Sequence, residues 1–327
     1  MLKCGMRDRS VRLAAAFGLA LGAIVVSAGA DLRGAAGDVH VLPVQGAVSM
    51  LVTAAGNVTV QIGEQGVLVV DAGAAATGDA LVAAIRRLTD KPIRYIVNTH
   101  AHADHTGGNA TVAKAGATVG GGTIGAAFTP MGASIVAHEH VLARMSAPTG
   151  SQSPTPTDAW PTNTYFGDRK ELFFNGEAIE ILHQPAAHTD GDSLVFFRRS
   201  DVISAGDLFL TTTYPIIDTK WGGSVQGVID ALNRILELTV PRDKQEGGTY
   251  VVPGHGRLCD EADVLEYRDM VTIVRDRIKD MMTRRMTLDQ VKAARPTLDY
   301  DGRYGSKTGP WTTDMFVEAV YRTLGGK

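Results

Sequence analysis

The sequence predicts an α/β protein whose strands and helices mix through two similar halves and end in a helical tail. Three observations carry this reading. Short Val-, Ile- and Leu-rich runs bounded by glycine turns recur along the chain, the pattern of strands. Between them lie segments whose apolar residues recur every three or four positions, the pattern of amphipathic helices. Thirty-seven glycines stand against only 6% aromatic residues, so the chain turns tightly and builds its core from Val, Ile, Leu and Ala. With 327 residues, 44% of them apolar and 20% charged, one large domain or two modest ones can bury a core, and a disordered or collagen-like chain is excluded.

The N-terminus is read apart from the fold. Lys3, Arg7, Arg9 and Arg12 face a single Asp8, residues 13–30 are apolar or small, and Ala28-Gly29-Ala30 precedes Asp31. That is the three-part layout of a secretory signal peptide over residues 1–30, with an uncleaved anchor as the competing reading. Cys4 lies in the basic region, so it is not placed for lipid attachment. No Arg-Arg pair precedes the apolar run, which favours general secretion over twin-arginine export. Cleavage would remove four basic residues and one acidic residue and move the formal net charge from −3 to −6. The expected location is periplasmic or secreted, with no stable membrane insertion after cleavage. An acidic chain without a basic stripe is not built for nucleic acid. Cys259 becomes the one remaining thiol, which excludes an internal disulfide and a Cys-rich zinc cluster. Any metal site must then use imidazole and carboxylate, from nine histidines.

From residue 31 onward the elements follow in order. Strands are expected at 39–44, 48–53, 57–62 and 67–70, separated by Gly-containing turns. A helix is expected at 79–89, with Leu81, Val82, Ile85 and Leu88 on one face. A strand at 93–97 runs straight into Asn98-Thr99-His100-Ala101-His102-Ala103-Asp104-His105, then a helix at 108–116 and a strand at 133–137 followed by a helix. Residues 147–163 form a Pro/Ser/Thr loop. Strands follow at 170–174, 178–183, 193–198 and 201–204, a helix at 224–238, and a strand at 249–252 that ends in Pro253-Gly254-His255-Gly256. Helices at 260–284, 287–294 and 312–324 complete the chain.

The chemistry is concentrated in His100-Ala101-His102-Ala103-Asp104-His105. Three histidines and an aspartate within a span of six residues just after a strand rarely arise by chance. Residues i and i+2 leaving a strand can converge on one ion, and Asp104 and His105, at the turn into a helix, can face a second. Each ion needs further ligands, because zinc takes about four. A solvated surface cluster of histidines is the bland reading, and the strand–loop–helix context argues against it.

H-x-H-x-D-H after a strand, followed by Thr106-Gly107-Gly108-Asn109, resembles the signature of the metallo-β-lactamase-fold hydrolase superfamily. The resemblance extends over about residues 40–258. His188 in Ala187-His188-Thr189-Asp190-Gly191 matches the third histidine of the family's first site, and Asp207 in Gly206-Asp207-Leu208 matches its bridging aspartate. His255 matches the last ligand, and Asp71 matches an acid beside the metals. The resemblance implies a four-layer αβ/βα sandwich with two mixed sheets and ligands on loops at one edge, plus a C-terminal helical segment. The implied domains are 1–30 signal peptide, 31–258 catalytic domain and 259–327 helical extension. It also implies a first metal on His100, His102 and His188, a second on Asp104, His105 and His255, and Asp207 between them. Hydroxide held between two ions about 3.5–4 Å apart is nucleophilic near neutral pH, and Asp104 would orient it and pass a proton.

Two Zn²⁺ per chain are expected, although imidazole and carboxylate also suit iron or manganese. The cysteine that the best-known β-lactamase branch carries at the second metal is replaced by Asp207, which looks more like glyoxalase II, lactonases and other thioesterases. Export counts against glutathione substrates and RNA. The expected function is exported, dinuclear zinc-dependent hydrolysis of a small carbonyl substrate: a β-lactam, lactone, ester or thioester. The competing readings are a metal-binding relay or binding protein without turnover, and a mononuclear iron dioxygenase of the same superfamily.

Other features take bland readings. Gly120–Gly125 satisfies G-x-G-x-x-G but lacks the strand–helix context and reads as a glycine-rich insertion. Lys307-Thr308-Gly309 resembles a serine β-lactamase motif, yet no S-x-x-K exists in the chain. His138 and His140 read as structural and His183 as a satisfied surface histidine. Asp190 and Asp192 serve a turn. Trp160, Tyr165 and Tyr214 read as pocket lining or edge packing. The amphipathic tail, with Val264, Val271, Ile273, Val274 and Ile278, reads as core packing or a homodimer face.

Overall fold

The structure is a computed structural model that describes residues 38–118, 132–147 and 154–326. The expected signal peptide, the glycine-rich run at 120–125 and part of the Pro/Ser/Thr loop lie outside the described residues. Among the described residues, no helix is long and apolar enough to cross a membrane.

Tight glycine turns make β1 (His40–Gln45), β2 (Val48–Thr53), β3 (Gly56–Gly63) and β4 (Gly66–Val70) an antiparallel meander. Helical connections then force parallel pairing, because a parallel partner needs a crossover. The connecting elements are α1 (Gly78–Leu88), α2 (Ala103–Thr106), α3 (Asn109–Lys114) and α4 (Glu139–Ser146). They carry β5 (Ile93–Val97), β6 (Ser134–His138) and β7 (Asn163–Tyr165) into a seven-stranded sheet in sequence order.

The second sheet contains β8 (Arg169–Phe174), β9 (Glu177–Gln184), β10 (Asp192–Phe197) and β11 (Val202–Leu210), then β12 (Tyr250–His255) and β13 (Cys259–Asp260). Its order is β13-β12-β11-β10-β9-β8. Asn175 and Gly176 both take positive φ in the β8–β9 hairpin, as a mirror-image turn requires. Only β11 and β12 are parallel, and α5 (Val225–Leu238) makes that crossover. The chain ends in α6 (Glu261–Thr283), α7 (Leu288–Ala293), α8 (Asp301–Tyr304) and α9 (Thr313–Thr323).

Strand alternation sorts the apolar residues into three layers of core. Val48, Met50, Leu68 and Val70 face Ile179, Ile181, Val195 and Phe197 between the two sheets. Leu51, Val58, Val67 and Val69 point the other way, beneath Leu81 and Ile85 of α1 and Val112 of α3. Leu194, Phe196, Ile203 and Val251 point outward from the second sheet, beneath α5, α6 and α9. The stack is helices, sheet, sheet, helices: the four-layer sandwich expected. Polar contacts also cross it. Glu177 accepts from Gln61 at 2.6 Å and from the Ser200 backbone N–H at 2.9 Å, and Thr59 meets Ser204 at 2.9 Å.

The tail is continuous with the second half's core. Tyr267, Val271, Ile278, Phe316 and Val320 share one apolar cluster with Ile203 and Leu232, and Tyr214 stacks on Phe316 at 4.7 Å. Most of the tail's helix-period pattern thereby packs within the chain, whereas Ile273, also expected on that face, is 40% exposed. A capping box between Asp260 and Asp263 starts α6 immediately after β13, so the chain passes from sheet to helix without a linker at 258/259.

Two strands run further than their apolar pattern suggests. β11 was expected to stop at 204, yet it continues through Gly206 and Asp207 to Leu210. Gly206, with φ +52°, accommodates an irregularity in the β11–β12 register instead of ending the strand. β12 likewise continues through Pro253-Gly254 to His255. β7 and β13 are too short for a periodic signal.

Candidate metal centre

The sequence-predicted ligands come from five places at one edge of the sandwich. His100 and His102 follow β5, with His102 capping α2, and Asp104 and His105 lie within α2. His188 lies in the β9–β10 connection, Asp207 in β11, and His255 ends β12. Binding outside the carboxyl ends of parallel strands is the general rule for α/β sheets. The seven side chains form two groups whose ligand atoms all lie within 4.8 Å of one another: His100, His102 and His188, and Asp104, His105, Asp207 and His255.

The outer hydrogen bonds fix which nitrogen of each ring faces inward. His188 Nδ1 donates to the Ile216 carbonyl at 2.7 Å, leaving Nε2 bare. His102 Nε2 meets Asp218 at 3.2 Å, which leaves Nδ1 bare. Those two bare atoms, His188 Nε2 and His102 Nδ1, lie 2.9 Å apart. Two lone pairs held at that distance repel unless a cation sits between them.

Asp71 governs the other side. Its carboxylate accepts from the Thr99 N–H, the Thr99 hydroxyl and His105 Nδ1, each at 2.8 Å. The Thr99 oxygen in turn takes the Nδ1 proton of His100 at 3.0 Å. One buried carboxylate therefore turns Nε2 of both His100 and His105 inward.

His100 Nε2, His105 Nε2 and Asp207 Oδ1 are buried and none makes a hydrogen bond of good geometry, although His105 Nε2, whose proton sits on Nδ1, lies 3.2 Å from Asp207 Oδ1. Orphaned buried polar atoms are costly, and here they converge, as the donor set of a metal centre should.

The electrostatics point the same way. Burial, and then the neighbouring histidines, hold His100 well below the usual imidazole range, and burial takes His188 down to about 4. Burial opposes charge on Asp207, yet His105 and His255 hold its carboxyl well below the ordinary range. Burial would also lower His105, but Asp207 and Asp71 raise it well above. His100 and His188 are thus held neutral, as a divalent ion needs, whereas His105 and His255, despite their burial, are pushed toward the charged form by the Asp207 carboxylate, a position a metal cation would take over.

Glycines make room for this packing. A Cβ on Gly254 would overlap Oδ1 of Asp207, and one on Gly206 would meet Thr99 Oγ1 at 2.5 Å. Asn57 Nδ2 donates to the carbonyls of Pro253 and Gly256 at 2.9 and 3.0 Å, pinning the segment that carries His255.

The sequence profile of the metallo-beta-lactamase superfamily matches residues 52–255, a span that contains all seven expected ligands and Asp71. The chain belongs to the metallo-beta-lactamase superfamily. Its fold is shared with solved members: a metallo-beta-lactamase from Pontibacter korlensis superposes with TM-score 0.54 at 15% identity, covering 72% of this chain and 99% of that one. The sec-alkylsulfatase Pisa1 from Pseudomonas sp. superposes with TM-score 0.61 at 14% identity over 88% of this chain, which spans 50% of the sulfatase. In sequence, 2,4-dinitroanisole O-demethylase subunit alpha from Nocardioides sp. (strain JS1661) is 28% identical over 153 residues, 46% of this chain and 40% of that protein. The chain thus spans well under two thirds of these longer relatives.

Beside this superfamily centre the aromatic readings change. Tyr165 and Tyr214 are buried, bonded to Ser193 and to Thr297 and Asp301, and serve packing. Trp160 donates to the Thr155 carbonyl at 2.7 Å. The aromatic at the metal-ligand edge is Trp221, stacked on His102 at 4.9 Å. An open cavity of about 570 Å³ with His102 in its wall is lined by Ile217, Lys220, Trp311, Met315 and Arg322. Sequence reading missed these residues because three of them belong to the tail, more than 200 positions from His102. Asp192 accepts from Thr189 and serves the turn, whereas Asp190 pairs with Arg144 at 2.5 Å. The structure also gathers a third group, His138, His140 and His183. Its signal was present: His138-x-His140, starting at the last residue of β6, repeats the spacing of His100-x-His102, which follows β5 after two residues.

Proposed function

We propose that the protein is an exported, dinuclear zinc-dependent hydrolase acting on a small substrate with a β-lactam, lactone, ester or thioester carbonyl. The convergence of the orphaned His100 Nε2, His105 Nε2 and Asp207 Oδ1, beside the facing lone pairs of His102 and His188, carries the reading. His100, His102 and His188 would hold one ion and Asp104, His105 and His255 the other, with Asp207 between. Ions there supply an acidified water and a Lewis acid for the substrate oxygen.

The chain's own residues do the rest. Asp104 Oδ2 lies 3.2 Å from His255 Nε2, and its side chain is 41% exposed, so it can orient an attacking water and carry a proton outward. The water oxygen bonds to the carbonyl carbon, the bond to the leaving nitrogen, oxygen or sulfur breaks, and that atom takes the proton. The cavity offers Ile217, Trp311 and Met315 to an apolar body and Lys220 and Arg322 to an anionic end. The basic, apolar and small-residue order of residues 1–30 supports export.

The test is metal analysis of the purified chain, then a panel of β-lactam, lactone, ester and thioester substrates. 2,4-Dinitroanisole and a secondary alkyl sulfate extend it, following the relatives' names. Two equivalents of zinc and turnover of a carbonyl substrate are expected. Less than one equivalent under metal-replete conditions refutes the dinuclear centre, and metal binding without turnover of any carbonyl substrate refutes the hydrolase.

A further inference from the structure

We propose a separate metal site formed by His138, His140 and His183, taking a borderline divalent transition ion such as zinc and clamping the two sheets together. The three rings come from different parts of the fold. His138 ends β6, His140 lies in the first turn of α4, and His183 is in β9 of the other sheet. One ligand atom from each lies within 4.8 Å of the others, the same closeness that the two groups of the catalytic edge show.

Two of the rings are already oriented. His140 Nδ1 donates to the Asp190 carbonyl at 2.8 Å and His183 Nδ1 to the Asp192 carbonyl at 3.0 Å. A backbone carbonyl on one ring nitrogen is the usual support for a metal-binding histidine, because it leaves the other nitrogen bare. Among the described residues, neither His140 Nε2 nor His183 Nε2 meets a hydrogen-bond donor.

His138 is buried, and its Nδ1 receives only the long His140 N–H contact at 3.4 Å. Its ring lies face to face with His183 at 3.7 Å and edge-on to His140 at 4.8 Å. Ring torsions of this kind are soft, and besides that one long hydrogen bond only ring contacts with His183, His140 and Tyr165 hold His138, so a turn of its ring would bring a third nitrogen to bear. The nearby carboxylate of Asp190 is engaged by Arg144 at 2.5 Å. The donor set is therefore all imidazole, which suits zinc, copper or nickel and not magnesium or calcium. His140 and His183 are half-buried, leaving room for water as a fourth ligand. The β9–β10 connection supplies His188 to the catalytic edge just beyond His183, so an ion here steadies the segment that carries a catalytic-edge ligand.

The experiment compares bound zinc, by elemental analysis after equilibrium dialysis, in the wild-type full chain and in His140→Gln and His183→Gln. One equivalent fewer in both variants is expected, whatever the catalytic edge itself binds, because that baseline is common to all three. Equal zinc in wild type and His140→Gln overturns the proposal. Loss of the whole complement in His183→Gln marks misfolding of that variant, and His140→Gln then decides.

Discussion

Replacing Asp71 by Asn changes one atom and should reach both metal groups. Asp71 is buried with φ +64°, a conformation that Asn tolerates as well as Asp, so the backbone is not perturbed. Its Oδ1 accepts from the Thr99 N–H, and its Oδ2 accepts from both the Thr99 hydroxyl and His105 Nδ1, all at 2.8 Å. With the amide oxygen kept on the Thr99 N–H, the new NH₂ faces the Nδ1–H of His105, donor against donor. His105 escapes by moving its proton to Nε2, the atom that should hold the metal. The Thr99 hydroxyl, now receiving a proton from the amide, turns its own toward His100 Nδ1 and drives the same exchange there.

A lost hydrogen bond to a charged group costs about 1.5–3 kcal/mol. At 1.4 kcal/mol per tenfold, that is roughly a 10- to 150-fold loss of metal affinity, in line with what such supporting residues usually contribute. Competition against a chromophoric chelator measures it, with thermal unfolding of the metal-free forms as the control for folding. An affinity within about twofold of wild type, in a variant that folds normally, would refute the idea that Asp71 sets these tautomers.

Four further outcomes follow from the same geometry. Asp207→Ala and His188→Ala should each abolish turnover and lower metal content while circular dichroism stays native; normal rates in either would remove that residue from the centre. Gly254→Ala should displace the Asp207 carboxylate, since its Cβ would overlap Oδ1, so metal content should fall while the sheets persist; full metal occupancy would show that Asp207 is not held as described. Chelation should lower the melting temperature, because a ligand at 100 times its Kd adds about 2.7 kcal/mol, and an unchanged melting temperature would contradict the clustered orphan atoms. Phe316→Ala, at a fully buried ring stacked on Tyr214, should cost about 3–5 kcal/mol; denaturant unfolding giving less than about 1 kcal/mol would mean that the tail does not share the core.

The local elements were readable in advance because their signals are local. β2 and β5 occupy the expected residues, and α1 begins one residue before its expected start. Val-rich alternation and glycine turns act over a few positions, and so does the spacing in His100-x-His102-x-Asp104-His105. β11 was harder. Its nine residues are all buried, and a fully buried strand has no alternation to mark its end. Gly206 then looks like a stop in sequence although it is a kink within the strand.

Sequence by itself determined the superfamily, the sandwich and the identity of the residues that gather at its edge, because these rest on motifs and on short-range periodicity. Only the tertiary structure decided which nitrogen each ring turns inward, because that depends on partners distant in the chain: Ile216 for His188, Asp218 for His102, and Asp71 for His105. The tail's share in the cavity and the meeting of His183 with His138 and His140 were decided there too. Packing brings together what the chain keeps far apart, and no local pattern records such a meeting.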